Sequence, residues 1–175
     1  MKLFSFFLLI IFSSTSVCST EIATFKLLYV LDKSLEFDEF INKLETVKIK
    51  MQNEIQEDEK KLIEEKNKIE ESKIIFTETE YNQQIKNYNN LANSLKNKFD
   101  EYNNHINKNI ETNRVIVINE IIKITKKISL DNNFDIILNE DQYFLASDNL
   151  DVSNQIIAML NKKKLNLEIN SLPWK

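Results

Sequence analysis

The residue types that could carry chemistry are few in this sequence and are not grouped. His105 is the single histidine and Cys18 the single cysteine, so a zinc site built from such ligands is excluded. We expect His105 to lie on the solvent side of a helix, away from the apolar seam of that helix. The chain contains no glycine, which excludes a glycine-rich phosphate-binding loop. The carboxylates form no recognisable catalytic pair, so we predict that the protein is not an enzyme and uses no metal or cofactor.

The overall charge narrows the choice of partners. The formal net charge is −4, whereas proteins that bind nucleic acid usually carry a basic surface. We therefore predict no binding to nucleic acid. Contact with a membrane is compatible with the sequence but is not predicted.

The first 19 residues have the pattern of a secretory signal peptide. Lys2 precedes the apolar run Leu3 to Phe12, and small and polar residues follow up to Ser19. The run is too short to span a bilayer, which needs about 20 apolar residues. Cleavage after Ser19 would leave a mature chain without cysteine and therefore without a disulfide. Attachment of a lipid to Cys18 is the alternative reading of this region.

The central stretch, residues 36–128, has the pattern of two long helices folded back on each other. Apolar residues recur at three- and four-residue steps, first from Ile41 to Phe76 and then again from Tyr81, which is typical of a coiled coil. The two registers do not join in phase. Thr77 and the acidic residues after it could cap a new helix, so we predict a bend near residues 75–80. Polar residues take seam positions from Asp58 onward, which predicts a poorly packed outer third.

Short strands from both ends of the chain are predicted to form a small body. Ile22 to Leu31 reads as a strand that is apolar on both faces from Leu27 onward and so needs cover on both sides. Phe134 to Leu138 and Tyr143 to Ser147 read as a hairpin of two further strands.

The end of the chain completes this body. Asp151 to Ser153 is expected to cap a last helix, Asn154 to Asn161. Alternating Leu165, Leu167 and Ile169 could form an edge strand. The fold class predicted is α+β, with a small β-rich oligomerisation body (residues 20–35 and 129–175) into which a long antiparallel coiled-coil hairpin (36–128) is inserted.

At this level of detail the sequence resembles the Skp (OmpH-like) family of periplasmic chaperones. The resemblance rests on the initial strand leading into the helical hairpin, on Asn133 to Leu138 followed by Tyr143 to Ser147, and on Asp151 to Ser153 before the last helix. It implies a homotrimer in the periplasm whose three arms surround a cavity and hold unfolded outer-membrane proteins without ATP. The acidic charge and a tail after Lys162 depart from the family pattern.

Two sets of candidate site residues follow. The candidate client contacts are Ile74, Ile75, Phe76, Tyr81, Tyr88, Phe99 and Tyr102. The first three lie at the bend, where little protein can cover them and contact with another molecule is expected; packing on one another is the alternative. The candidate oligomer interface consists of Leu27, Leu28, Tyr29, Val30, Ile136, Leu138 and Phe144. The alternative function is a structural coiled-coil spacer or tether in the cell envelope, which would need no such body.

Overall fold

The computed structural model describes residues 19–171. The elements in chain order are strand β1 (Ile22–Phe25), helices α1 (Leu27–Asp32), α2 (Leu35–Ser72) and α3 (Glu78–Asn132), strand β2 (Ile136–Asn139) and helix α4 (Ser153–Leu160). Short 3-10 turns, Glu140–Gln142 and Asp148–Leu150, lie between β2 and α4. The predicted signal peptide, residues 1–19, lies outside the described residues apart from Ser19.

Helices α2 and α3 form the predicted hairpin, with 38 and 55 residues. Ser34 caps α2 by accepting a hydrogen bond from the N–H of Phe37. The chain turns over at residues 73–77, a little before the predicted bend. Helix α3 ends at Asn133, whose φ of 56° is left-handed, as expected for an asparagine that takes the place of glycine there.

The hairpin has a small core of its own near its middle. Met51, Ile55 and Tyr102 are buried together there, and Leu95 and Ile106 pack against them. Further out, Asp58 occupies the polar seam position that the sequence indicated. Its carboxylate accepts a hydrogen bond of 2.7 Å from the Lys98 ammonium of α3. An ion pair therefore replaces an apolar contact between the helices at this level of the arm.

The body packs both ends of the chain onto the base of α3. Its buried apolar residues come from every nearby element: Ala23, Val30, Leu31, Val117, Ile121, Ile124, Ile128, Val152, Ile156 and Leu160. Strand β1 pairs in parallel with β2, Ile22 opposite Ile136, because the entire hairpin serves as the long crossover that parallel strands need. On the other edge of β1, Thr24 forms a single bridge to Asp151.

Two strand predictions were wrong. The chain leaves β1 at Phe25, and Leu27–Asp32 is helical, because Leu27, Val30 and Leu31 have the three- and four-residue spacing that puts them on one helix face. A continuous apolar run does not distinguish a strand from a buried helix. Residues 143–147 are not a strand either, since they pair with no other strand in the described chain, and the predicted hairpin with β2 does not form.

The tail is not an edge strand. Residues 165–170 are extended, but their backbone is bonded by asparagine side chains of α3 and by no strand of the described chain. The body is thus less β-rich than predicted. The molecule is mostly helical, with a two-stranded sheet and a long helical hairpin.

Candidate functional site

The tip of the hairpin exposes two large apolar side chains. Ile74 is 95% exposed and Ile75 82% exposed, while Phe76 is half-buried. The carbonyl of Ser72 accepts hydrogen bonds from the N–H groups of Ile75 and Phe76, at 2.9 and 3.0 Å. These bonds close the end of α2 and leave the isoleucine side chains directed away from the helices.

A capping box holds the other side of the turn. The Glu80 carboxylate accepts hydrogen bonds from the backbone N–H and the hydroxyl of Thr77, at 2.9 and 2.8 Å, and the Thr77 hydroxyl accepts from the Glu80 N–H. Donation from the Thr77 N–H, and then from its hydroxyl, lowers the pKa of Glu80. The turn is therefore held by polar bonds, none of which involves the side chain of Ile74 or Ile75.

Apolar residues are also exposed along the arm. Phe99 is half exposed, and its ring lies 6.2 Å from that of Tyr102. Tyr81 and Tyr88 are half-buried. Tyr102 is buried in the hairpin core, so a client could reach it only where the hairpin opens. Sequence reasoning missed three exposed residues of the same kind, Ile49, Ile63 and Leu91.

The body carries a second set of exposed apolar residues, which we call the body patch: Leu28, Tyr29, Leu130, Ile136, Phe144 and Leu145. Phe144 has its whole side chain exposed, and a groove of about 420 Å³ lies between Leu130 and Ile137. Of the other predicted interface residues, Leu27 and Leu138 are half-buried. Val30 is fully buried in the core of its own chain and offers no surface to a second copy in this conformation.

Polar bonds hold the start of α4 against the end of β1. The Asp151 carboxylate accepts a hydrogen bond from the Ser153 N–H at 2.8 Å and pairs with the Lys26 ammonium at 3.4 Å. The Ser153 hydroxyl accepts in turn from the Lys26 N–H. Partial burial raises the pKa of Asp151, but the bonds from Ser153 and Lys26 outweigh it and the pKa lies below its usual value. This arrangement explains the Asp-Val-Ser motif before α4.

The sequence predicted that His105 lies on the solvent side of α3, and this prediction was wrong. His105 is buried, and burial lowers the pKa of its imidazole. Asn109 and Asn113, one and two turns further along α3, are buried as well. The heptad spacing could have indicated their burial, because Asn109 lies one heptad after Tyr102 and Asn113 lies one heptad after Ile106. The abundance of asparagine in the chain concealed it.

Neither a metal-binding cluster nor a membrane-spanning helix is found among residues 19–171. Within residues 19–171, no three His, Cys, Asp or Glu side chains lie close enough together to hold a metal ion. No helix in that part of the chain is both long enough and apolar enough to cross a bilayer. The exposed apolar surfaces of arm and body are therefore the candidate functional sites.

Comparison with known proteins identifies a family and a solved structure that this chain resembles. The sequence model of the outer membrane protein (OmpH-like) family matches residues 21–160, which include every helix and strand described above. The chain belongs to the OmpH-like family. Its fold is similar to the crystal structure of a candidate outer membrane chaperone (OmpH-like) from Caulobacter crescentus, with a TM-score of 0.76 over 90% of this chain and 94% of that one. The two sequences are 16% identical. No curated protein sequence matches the chain. The tail after α4 lies outside the part matched by the family model.

Proposed function

We propose that this OmpH-like protein is a chaperone of the periplasm that holds unfolded outer-membrane proteins soluble without ATP. The observation that carries the proposal is the almost fully exposed isoleucine pair, Ile74 and Ile75, at the end of a long polar arm. Large apolar groups in such a position are typical of contact with another molecule. Membership of the family supports a chaperone role, and OmpH-like outer membrane chaperones are in general periplasmic and non-enzymatic.

The distribution of apolar residues along the arm suits a client without fixed structure. Ile63, Leu91 and Phe99 are each about half exposed and are separated by charged residues. Each contact would contribute about a kcal/mol of apolar burial. Several arms acting on one chain would raise the affinity by avidity. Binding assembled in this way tolerates many client sequences.

The body patch supports a homotrimer as the working form. A two-stranded sheet is marginally stable alone, and β2 forms an edge of the sheet within the chain, where another strand could pair. The exposed Phe144 lies in a segment, residues 143–147, that pairs with no strand among residues 19–171. We propose that copies of the chain cover Leu28, Ile136 and Phe144 of one another, so that the arms enclose a cavity for the client.

The function is tested by diluting a denatured outer-membrane barrel protein into buffer with and without the mature chain and following turbidity. We expect suppression at a severalfold excess of chaperone. Because the formal charge is −4, and removal of Lys2 with the signal would make it −5, suppression should persist at physiological salt, where exposed charges are screened beyond about 8 Å. Turbidity that is unchanged by the chaperone would refute the function. Suppression that disappears at physiological salt would refute the apolar mechanism.

The oligomeric state has a separate test. Light scattering after gel filtration should give three chain masses for the mature protein. Leu28→Lys should shift it toward the monomer, because an unpaired ammonium is costly to bury in an interface. Leu35→Lys, at an exposed position outside the body patch, is the matched control and should leave the mass unchanged. A monomer at micromolar concentration would contradict the cavity arrangement.

A further inference from the structure

The tail that follows α4 runs along the base of the arm, and its side chains alternate as those of an extended chain do. Its odd-numbered residues are apolar and half-buried, and its even-numbered residues are polar and exposed, over residues 165–170. Leu165 and Leu167 pack against the body core. The tail therefore binds α3 as a strand would bind a sheet, although its partner is a helix.

Two buried asparagines of α3 make the polar contacts with this tail. Asn113 accepts a hydrogen bond from the Glu168 N–H at 3.0 Å and donates one to the Glu168 carbonyl at 2.9 Å. Asn109 accepts a bond from the Asn170 N–H at 2.8 Å. All three bonds go to main-chain groups, so the asparagines recognise an extended backbone and not a particular side chain.

The spacing of residues explains why side chains of a helix can bond the backbone of an extended segment. Four helical residues rise by about 6 Å, and two residues of an extended chain span about 6.6 Å. Side chains one turn apart on α3 therefore match alternate residues of a strand. Each asparagine is also held in place, because Asn109 donates to the His105 carbonyl at 2.7 Å and Asn113 donates to the Asn109 carbonyl at 2.8 Å. Their side-chain oxygens are thereby directed at the strand.

His105 occupies the next position of the same stripe. Its Nε2 atom is buried and has no hydrogen-bond partner among residues 19–171. It lines a groove of about 490 Å³ together with Asn109, Thr112, Asn170 and Ser171. We call His105, Asn109 and Asn113 the polar rail. The rail thus has two positions that bind the tail and a third, buried position that adjoins a groove.

We propose that the polar rail is a binding site for an extended polypeptide segment with apolar residues at alternate positions, and that residues 165–170 occupy it as an internal competing ligand. The segments that displace the tail would be strands of unfolded outer-membrane proteins, which have this alternation; this part rests on the proposed function. The tail lies beyond residue 160, where the match to the family model ends.

The first test frees the rail in the full mature chain. Glu168→Pro combined with Asn170→Pro removes both N–H donors from the tail and keeps it extended. Asn166→Pro, at an exposed tail residue without a hydrogen bond to the rail, is the matched control. A labelled peptide of residues 164–171 should bind the double variant about tenfold or more tightly than the control, in which the tethered tail competes at high effective concentration. Equal binding to both proteins would overturn the proposal.

The second test asks whether the backbone is what the rail recognises. The same peptide, N-methylated at the positions of Glu168 and Asn170, keeps every side chain but lacks the two donors. It should lose most of its affinity for the double variant. Retained affinity would show that apolar contact alone holds the strand and would overturn the proposed recognition.

A third measurement uses the unmodified chain and so does not depend on the folding of the variants. Amide hydrogen exchange in residues 165–171 should accelerate when a peptide from a barrel strand is added at saturating concentration. Unchanged exchange would overturn the competition between tail and client. If turbidity is not suppressed in the chaperone assay but this peptide still displaces the tail, the proposed function fails and the binding site stands.

Discussion

Replacing Ile74 and Ile75 by serine tests the role of the arm tip directly. The two side chains are almost entirely exposed, and the turn that carries them is held by main-chain bonds to Ser72 and by the Thr77–Glu80 capping box. The substitutions remove apolar surface without removing a bond that shapes the turn. We therefore expect the free energy of unfolding to change by less than about 0.5 kcal/mol, as is usual for surface substitutions.

The expected loss in client binding follows from the exposed surface. Full burial of an isoleucine side chain is worth about 1.5–3 kcal/mol. A client that covers a third to a half of each side chain would gain about 0.5–1.5 kcal/mol per residue. The double variant should therefore lose about 1–3 kcal/mol per arm, which corresponds to about a 5- to 150-fold increase in the dissociation constant. Fluorescence anisotropy of a labelled, unfolded barrel protein measures this constant.

The matched control is Leu35→Ser. Leu35 is 65% exposed but lies at the opposite end of α2, a distance of about 57 Å along the helix. Its substitution should leave the dissociation constant unchanged. A tip variant that binds with unaltered affinity would refute the reasoning, and so would equal losses in the tip and control variants, because contact with the client would then not depend on position along the arm.

Three further predictions concern the hairpin. Met51→Ala should lower the free energy of unfolding by about 2–5 kcal/mol because it opens a cavity, whereas Ile49→Ala, at an exposed position, should change it by less than about 0.5 kcal/mol; equal urea midpoints would contradict the hairpin core. The hydrogen bond from Lys98 of α3 lowers the pKa of the Asp58 carboxyl below 3.8 in the folded chain. The ionised Asp58 therefore stabilises the fold above pH 3.8, and this stabilisation is lost as the pH falls through the lower folded-state pKa. Asp58→Asn should therefore flatten the acid limb of a stability–pH curve, and an unchanged limb would refute this assignment. Thr77→Ala should cost about 0.5–2 kcal/mol and accelerate amide exchange at the start of α3, an effect that Thr79→Ala should not reproduce.

The arm could be predicted from the sequence because local rules determine it. The heptad spacing gave both helices, and Thr77, which residue type alone indicated as a cap, is the N-cap of α3. Such signals depend on neighbours within one or two turns of helix. The bend was placed a few residues late, since Phe76 has an apolar character that fits the helix pattern as well as it fits the turn.

The body was harder because its elements depend on partners far away in the chain. Residues 27–32 had the composition of a strand, but the core that they contact belongs to α3 and α4, and a helix places Val30 and Leu31 on that core together. Residues 143–147 had strand character without a neighbour to pair with inside the chain. Propensity could not show either fact.

Of the candidate sites, the arm tip could be predicted from local sequence and the polar rail could not. Exposure of Ile74 and Ile75 was predicted because a bend offers little protein to cover them. The polar rail was not predicted, because the role of a buried asparagine depends on the group that it bonds. Those groups belong to residues 168 and 170, which lie more than fifty positions away from Asn113 and Asn109. Polar residues at seam positions were the available signal, and at Asp58 the same kind of signal marked an ion pair.

Packing along the arm is graded, and the gradient bears on how a client would be held. In α3 the first buried residue is Tyr102, so the 24 residues before it contribute only partly covered side chains to the hairpin. In α2 the buried positions are concentrated between Phe40 and Ile55, with Ile69 as the single one beyond. Segments with few buried contacts open at low cost in free energy. An arm with a firm base and a loosely packed outer half can adjust its shape to clients of different size. A rigid spacer requires a uniformly packed coiled coil, which could expose the same apolar residues but could not adjust its shape.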